Sequence, residues 1–348
     1  MPTTFVPLTR AQRADGPAAV TTPLADRFGR VATDLRVSLT DRCNLRCSYC
    51  MPAEGLDWLP TEQTLTDDEI VRLITIGVER LGIREVRFTG GEPLLRRGLV
   101  DIVARTHALG VETSLTTNAL GLQRTARALA DAGLDRINAS IDSVRPETFA
   151  TITRRDRLKD VVAGLEAAKA AGLGPIKLNA VLLRGTNDDQ AAELLRWSIE
   201  HGYELRFIEQ MPLDAQHDWS RAAMVTADEI FDQLSAEFAL TPHGEPRGSA
   251  PAELFDVDGG PATVGIIASV TRPFCGDCDR VRLTADGQVR NCLFAREESD
   301  LRTALRSGAT DDEIAERWVI AMHGKRAGHG IDDVTFLQPD RPMSAIGG

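Results

Sequence analysis

From Leu35 to Glu209, short apolar and β-branched runs alternate with longer amphipathic ones, and each long run stops directly before a glycine. The short runs, read as strands, are Leu35–Thr40, Glu85–Thr89, Glu112–Thr117, Asp135–Ile141, Ile176–Leu183 and Glu204–Ile208. The long runs, read as helices, are Thr66–Leu81, Leu99–Leu109, Leu122–Ala132, Leu158–Ala171 and Asp188–His201. Thr66-Asp67-Asp68-Glu69 has the form of a capping box, with Thr66 as N-cap and Glu69 reaching back to it. Gly82, Gly110, Gly133, Gly172 and Gly202 stand where left-handed C-caps belong. Similar helix stops before successive strands describe repeated βα units on a parallel sheet. Repeats of about 30–40 residues suit an incomplete (β/α) barrel, and a doubly wound open sheet gives the same local pattern. Both put a site at the C-terminal ends of the strands.

After Pro212 the rhythm changes. Asp214–Ala223 has little periodicity, Ala227–Phe238 and Asp311–Met322 read as helices, and His243–Pro261 reads as a loop or an irregular edge. Val264–Val270, Val281–Thr284 and Gln288–Cys292 read as strands, with Asp286-Gly287 as a hairpin turn. The expected organisation is a flexible tail over 1–27, a βα core over 28–212 and an extension over 213–348. The chain has 348 residues, 43% of them hydrophobic, which is enough for a sizeable core. Met1–Asp26 lacks the apolar stretch of a secretory signal, and no run approaches the roughly 20 apolar residues of a membrane helix. The expected compartment is therefore cytoplasmic. A net charge of −11 repels nucleic acid and anionic membrane, so neither is an expected partner, and an anionic substrate would need a local basic site.

Cytosolic thiols stay reduced, so the six cysteines point to metal rather than disulfides. Cys43, Cys47 and Cys50 form C-x3-C-x2-C directly after the first strand; Cys275, Cys278 and Cys292 form C-x2-C-x13-C in the extension. Three thiolates can hold three irons of a cubane and leave the fourth open to an exogenous chelator. Structural zinc prefers four closed ligands. The first triplet has no fourth Cys or His nearby in sequence; at the second, zinc could recruit His243, His323 or His329. Alternation puts Arg280 and Arg282 on one strand face, suited to phosphate or a purine edge.

C-x3-C-x2-C with Tyr49 before the last cysteine resembles the signature of the radical S-adenosylmethionine (SAM) superfamily. Thr89-Gly90-Gly91-Glu92-Pro93 after the second strand resembles its GGEP motif. Nearly the whole chain from Phe28 resembles one family, the GTP 3′,8-cyclases of molybdenum cofactor biosynthesis. The carriers are Asp34–Arg42, both triplets, Thr116-Thr117-Asn118, Leu205–Met211, Arg280-Val281-Arg282 and the terminal Gly347-Gly348. Departures are Ala119, Arg154 and Asp279, where members commonly have Gly, Gly and Asn.

The resemblance implies an incomplete (β/α)6 TIM-like barrel with a C-terminal α+β extension carrying a second cluster. It implies two [4Fe-4S] clusters, on Cys43, Cys47 and Cys50 with SAM, and on Cys275, Cys278 and Cys292 with substrate. Tyr49, Gly91, Ser140 and Met211 match positions that contact SAM. Arg36, Arg87, Thr116, Lys177, Arg280, Val281 and Arg282 match positions near GTP. Arg36, Arg280, Arg282, Gly347 and Gly348 match residues that serve catalysis, the two glycines by entering the active site. The implied reaction abstracts hydrogen from C3′ of GTP and joins C3′ to guanine C8. The implied partners are GTP, an electron donor such as flavodoxin or ferredoxin, the downstream cyclic pyranopterin monophosphate synthase, and a second copy in a homodimer. The alternative is a radical SAM enzyme whose auxiliary cluster serves another substrate, such as a peptide.

Overall fold

The computed structural model describes residues 22–347. The core strands are β1 (Asp34–Ser38), β2 (Glu85–Thr89), β3 (Glu112–Thr117), β4 (Arg136–Ser140), β5 (Ile176–Val181) and β6 (Glu204–Ile208). The core helices are α1 (Asp67–Leu81), α2 (Leu99–His107), α3 (Ala126–Asp131), α4 (Pro146–Thr153), α5 (Leu158–Ala170) and α6 (Ala191–His201). The Thr66 capping box forms, and all five expected glycine caps have positive φ. Two helix readings need correction. The run expected over 122–132 breaks into a short 3-10 turn and α3, and α4 was not expected. Its eight residues are too short for a clear amphipathic period, although Pro146 supplies a good first-turn signal.

The extension adds α7 (Ala227–Ser235), β7 (Leu240–Pro242), β8 (Glu253–Val257), β9 (Thr263–Ile267), β10 (Arg280–Leu283), β11 (Gln288–Arg290) and β12 (Ser299–Asp300). Helices α8 (Arg302–Arg306), α9 (Asp311–His323) and α10 (Met343–Ile346) follow. The expected 243–261 loop holds β8, which pairs antiparallel with both β7 and β9. All strands share one sheet in the order β12-β11-β10-β1-β2-β3-β4-β5-β6-β9-β8-β7. Thus β10 and β9 lengthen the parallel run at opposite edges, and the sheet crosses the boundary expected at residue 212.

Strand alternation separates the two faces. Leu35, Val37, Val86, Phe88, Leu115, Ile137, Leu178 and Phe207 belong to one continuous buried core with the helices. Arg36, Arg87, Asn138, Asn179 and Arg206 face the other way, onto a cavity. Residues from both edges of the parallel run, Arg282 on β10 and Ile267 on β9, line that same cavity, so the sheet is curled around it. This is the open, incomplete barrel.

Part of the expected tail is packed. Leu24 is fully buried and donates its N–H to Leu81, and Ala25 bridges Val31. The Arg30 guanidinium then reaches the Cys275 and Ala327 carbonyls at 2.6 and 2.8 Å. Residues 1–21 of that expected tail, and Gly348, lie outside the described residues. Among the described residues no helix is long and apolar enough to cross a membrane.

Candidate functional site

The loop after β1 carries Cys43, Cys47 and Cys50 as a tight turn, with the Cys50 and Met51 amides donating to the Cys47 carbonyl. Helix α4 anchors it: the Arg46 and Ser48 amides donate to Thr153 and Ile152. Arg154, left-handed at φ 54°, closes both ends by donating to the Arg46 and Met51 carbonyls at 3.0 and 2.8 Å. The Gly90-Gly91 turn lies directly on the strand exit. Gly91 and Glu92 donate to Thr40 and Arg42 at 2.7 Å, and a Cβ on Gly91 would collide with the Asp41 and Arg42 carbonyls. Glu92, fully buried, accepts from Thr117 Oγ1, the Asn118 amide and the Leu94 amide. Burial pushes its carboxyl up to about 7 against those three donors. Tyr49 donates to Asp142 at 2.9 Å.

One cavity of about 350 Å³ joins this loop to the second triplet. Its wall includes all six cysteines, and Tyr49, Gly91, Thr116, Ser140 and Met211 also line it. The same wall carries the cations. Strand register sets Arg282, Arg36 and Arg87 side by side on β10, β1 and β2, with Arg280 beside Asp34 one pleat below. Like charges directly opposite on neighbouring strands repel. Burial would raise the Asp34 carboxyl, but Arg36, Arg87, Arg280 and Arg282 together hold it below its usual range. A single carboxylate does not satisfy four guanidinium groups. Burial, and then neighbouring arginines, push Arg36 well below its ordinary value, and burial takes Arg282 down to about 10. Arg36 Nε, Arg280 Nε, and Arg282 Nε and Nη1 are buried without a hydrogen-bond partner in the protein. Such a set suits a polyanion delivered from outside.

The chain resembles known proteins along nearly its full length. The profile of the Radical SAM superfamily matches residues 37–198, and that of Molybdenum Cofactor Synthesis C matches residues 203–331. A "GTP 3′,8-cyclase" of Streptomyces coelicolor is 68% identical over 328 residues, 93% of this chain and 96% of that protein. One of Corynebacterium glutamicum is 59% identical over 336 residues, 93% of this chain and 89% of that protein. The chain belongs to the GTP 3′,8-cyclase family. Among solved structures, Streptococcus suis SuiB bound to its precursor peptide SuiA superposes with a TM-score of 0.57 at 12% identity. The match covers 87% of this chain and 67% of that one, and at this identity it shows the fold alone.

Membership of a radical SAM family brings a [4Fe-4S] cluster and SAM, and the first triplet fits them. Its three thiols come from one loop and face the cavity. Burial pushes the Cys50 thiol up to about 12, so the thiolate needs a bound cation such as iron. Among the described residues no three His, Cys, Asp or Glu side chains converge as a single metal ion requires. Of the histidines considered for zinc, His243 pairs with Asp256, His323 bonds the Val319 carbonyl and His329 bonds the Ser269 carbonyl.

In this cyclase-family chain three expected site residues stand elsewhere than on the cavity wall. Val281 points to the opposite face, fully buried in the core, because its neighbours Arg280 and Arg282 face inward. Lys177 shares its strand face with Asn179 but stands near the start of β5, 3.4 Å from Glu204. Gly347 abuts the strand ends: a Cβ there would lie 2.8 Å from Thr89 Cγ2 and 3.3 Å from Ser38 Cβ. The tail before it reaches the wall through Met343 and Ser344. Sequence reading passed over Arg206, although it sits one alternation from Glu204 and Ile208 on β6. It lines the cavity, its Nε has no partner, and burial takes it down to about 10. Asn138 and Asn179, also on the wall, carry unpartnered amide atoms.

Proposed function

We propose that this chain converts GTP to (8S)-3′,8-cyclo-7,8-dihydroguanosine 5′-triphosphate, the first step of molybdenum cofactor biosynthesis. One observation carries the reading: two three-cysteine sets open on a single cavity whose wall also holds arginines of β1 and β10 with buried nitrogens that lack hydrogen-bond partners. The relatives named for this reaction support GTP over the peptide alternative. Held by Cys43, Cys47 and Cys50, a [4Fe-4S] cluster with SAM would supply the one-electron radical chemistry that takes hydrogen from C3′ of the ribose. Everything else falls to the protein.

Cys43, Cys47 and Cys50 hold that cluster, with Tyr49, Gly91, Ser140 and Met211 around SAM. Arg36, Arg87, Arg206, Arg280 and Arg282 hold the triphosphate and neutralise its charge, with Lys177 behind them and Thr116 as a hydrogen-bonding group. Val281 contributes through its backbone between the two arginines. Cys275, Cys278 and Cys292 would hold a second [4Fe-4S] cluster, which would supply a binding point for the guanine ring. Gly347 and Gly348 bring the tail to the active site and exclude water. Residues 28–212 thus serve radical formation and share the triphosphate with residues 213–348, which carry the second three-cysteine set. A flavodoxin or ferredoxin supplies the electron, the cyclic pyranopterin monophosphate synthase consumes the product, and the enzyme works in the cytoplasm, as a homodimer.

The test is anaerobic: reconstituted protein with dithionite, SAM and GTP, assayed for 5′-deoxyadenosine and a cyclised nucleotide. GTP-dependent formation of both is the expected result. 5′-Deoxyadenosine without a GTP-derived product overturns the substrate, and neither product from a protein holding two clusters overturns the cyclase reading.

A further inference from the structure

Lys325, just past α9, is 2% exposed. Its Nζ donates to the Cys278 carbonyl at 3.2 Å and the Arg280 carbonyl at 2.9 Å, and stands 3.4 Å from Cys278 Sγ. Among the described ion pairs no carboxylate joins it. A buried ammonium without a counter-charge is costly, so the position calls for negative charge close by. The nearest candidate is the Cys278 sulfur itself. Arg280 Nη1 approaches the same sulfur at 3.9 Å. The first triplet is built differently: its side-chain donor is the neutral Asn118 amide, 3.8 Å from Cys43 Sγ.

We propose that Lys325 is a positioning residue that fixes Cys278 against β10 and raises the reduction potential of the second cluster. This rests on reading Cys275, Cys278 and Cys292 as cluster ligands. Reduction adds negative charge to a cluster, and a buried cation beside one ligand sulfur favours the reduced state over the oxidised one. The same ammonium bonds the carbonyl of Arg280, so it ties the cluster's position to the strand that carries the substrate-facing arginines.

The experiment uses the full chain, reconstituted anaerobically, in a background where Cys43, Cys47 and Cys50 are all alanine, so that only the second triplet can hold iron. Iron content and an EPR-monitored redox titration are compared for that background, K325M and K325R. The expected result is a midpoint shifted to more negative potential in K325M and returned toward the background value in K325R. An unmoved midpoint in K325M, with iron retained, overturns the role of Lys325 alone. If K325M holds no cluster, K325R decides: retained iron supports the proposal and lost iron overturns it. A background chain that binds no iron, or binds zinc instead, overturns the second-cluster reading, and the inference with it.

Discussion

Arg282 is held in the folded protein at a cost. It is 5% exposed, two of its nitrogens lack partners, and its in-register neighbour is Arg36. A fall from 12.5 to about 10 corresponds to about 3 kcal/mol against the charged form. Arg282→Met keeps the length and removes the charge. It is expected to stabilise the ligand-free protein by about 1–3 kcal/mol in urea titrations, while GTP no longer raises its melting temperature and cyclisation is lost. A variant that still turned over GTP would remove Arg282 from the site. Glu92 gives a pH signature. Its carboxyl sits at about 7 when folded and 4.5 as the reference value. The folded state therefore holds the proton more tightly, and stability falls as pH rises from about 4.5 through 7. Glu92→Gln has no such proton, so its stability relative to wild type is expected to improve by roughly 2–3 kcal/mol between pH 5 and pH 8. A pH-independent difference would mean that the three hydrogen bonds fully offset burial. At this scale both cysteine sets and the arginines of β1, β2 and β10 were legible, because spacing and alternation are local. Arg206 was not singled out, since a lone arginine on a strand looks the same inward or outward until register is known.

Elements were legible where period and caps agreed. The six core strands and α1, α5 and α6 lie within a few residues of their expected positions. β8 was legible only as a loop or an irregular edge because Gly, Pro and charge surround it. What joins the elements was less visible. Glu209, at the end of β6, is 1% exposed. It accepts from the Ala227 amide at the start of α7, from the Val270 and Thr271 amides after β9, and from Thr271 Oγ1. One carboxylate thus fixes three elements and the approach to Cys275. Glu209→Ala orphans several buried donors at about 1–3 kcal/mol each. The expected loss is about 3–5 kcal/mol, with less iron retained by the proposed second cluster. Glu209→Gln, which keeps an acceptor, is expected to lose less. Equal losses would show that shape rather than hydrogen bonding matters there.

The whole molecule sets a charge of −11 around an interior lined by arginines. Its two sequence patterns meet near residue 212, yet β9 and β10 join opposite edges of the core sheet. No local pattern announces which edge a late strand will take, which is why the shared sheet was not legible from sequence. The consequence is thermodynamic. A nucleotide held by Arg36, Arg87 and Arg282, as proposed, would touch β1 and β2 of the core and β10 of the extension at once and so stabilise both together. Calorimetry of the reconstituted protein is expected to give one unfolding transition, raised by GTP. At 100-fold excess over the dissociation constant the gain is about 2.7 kcal/mol. Added salt should weaken that gain by raising the dissociation constant, because long-range attraction into the cavity is screened while the surrounding acidic surface is relieved only in part. Two transitions, with GTP shifting only the second, would mean that the shared sheet does not couple the halves, and that the arginines of β1 take no part in holding the nucleotide.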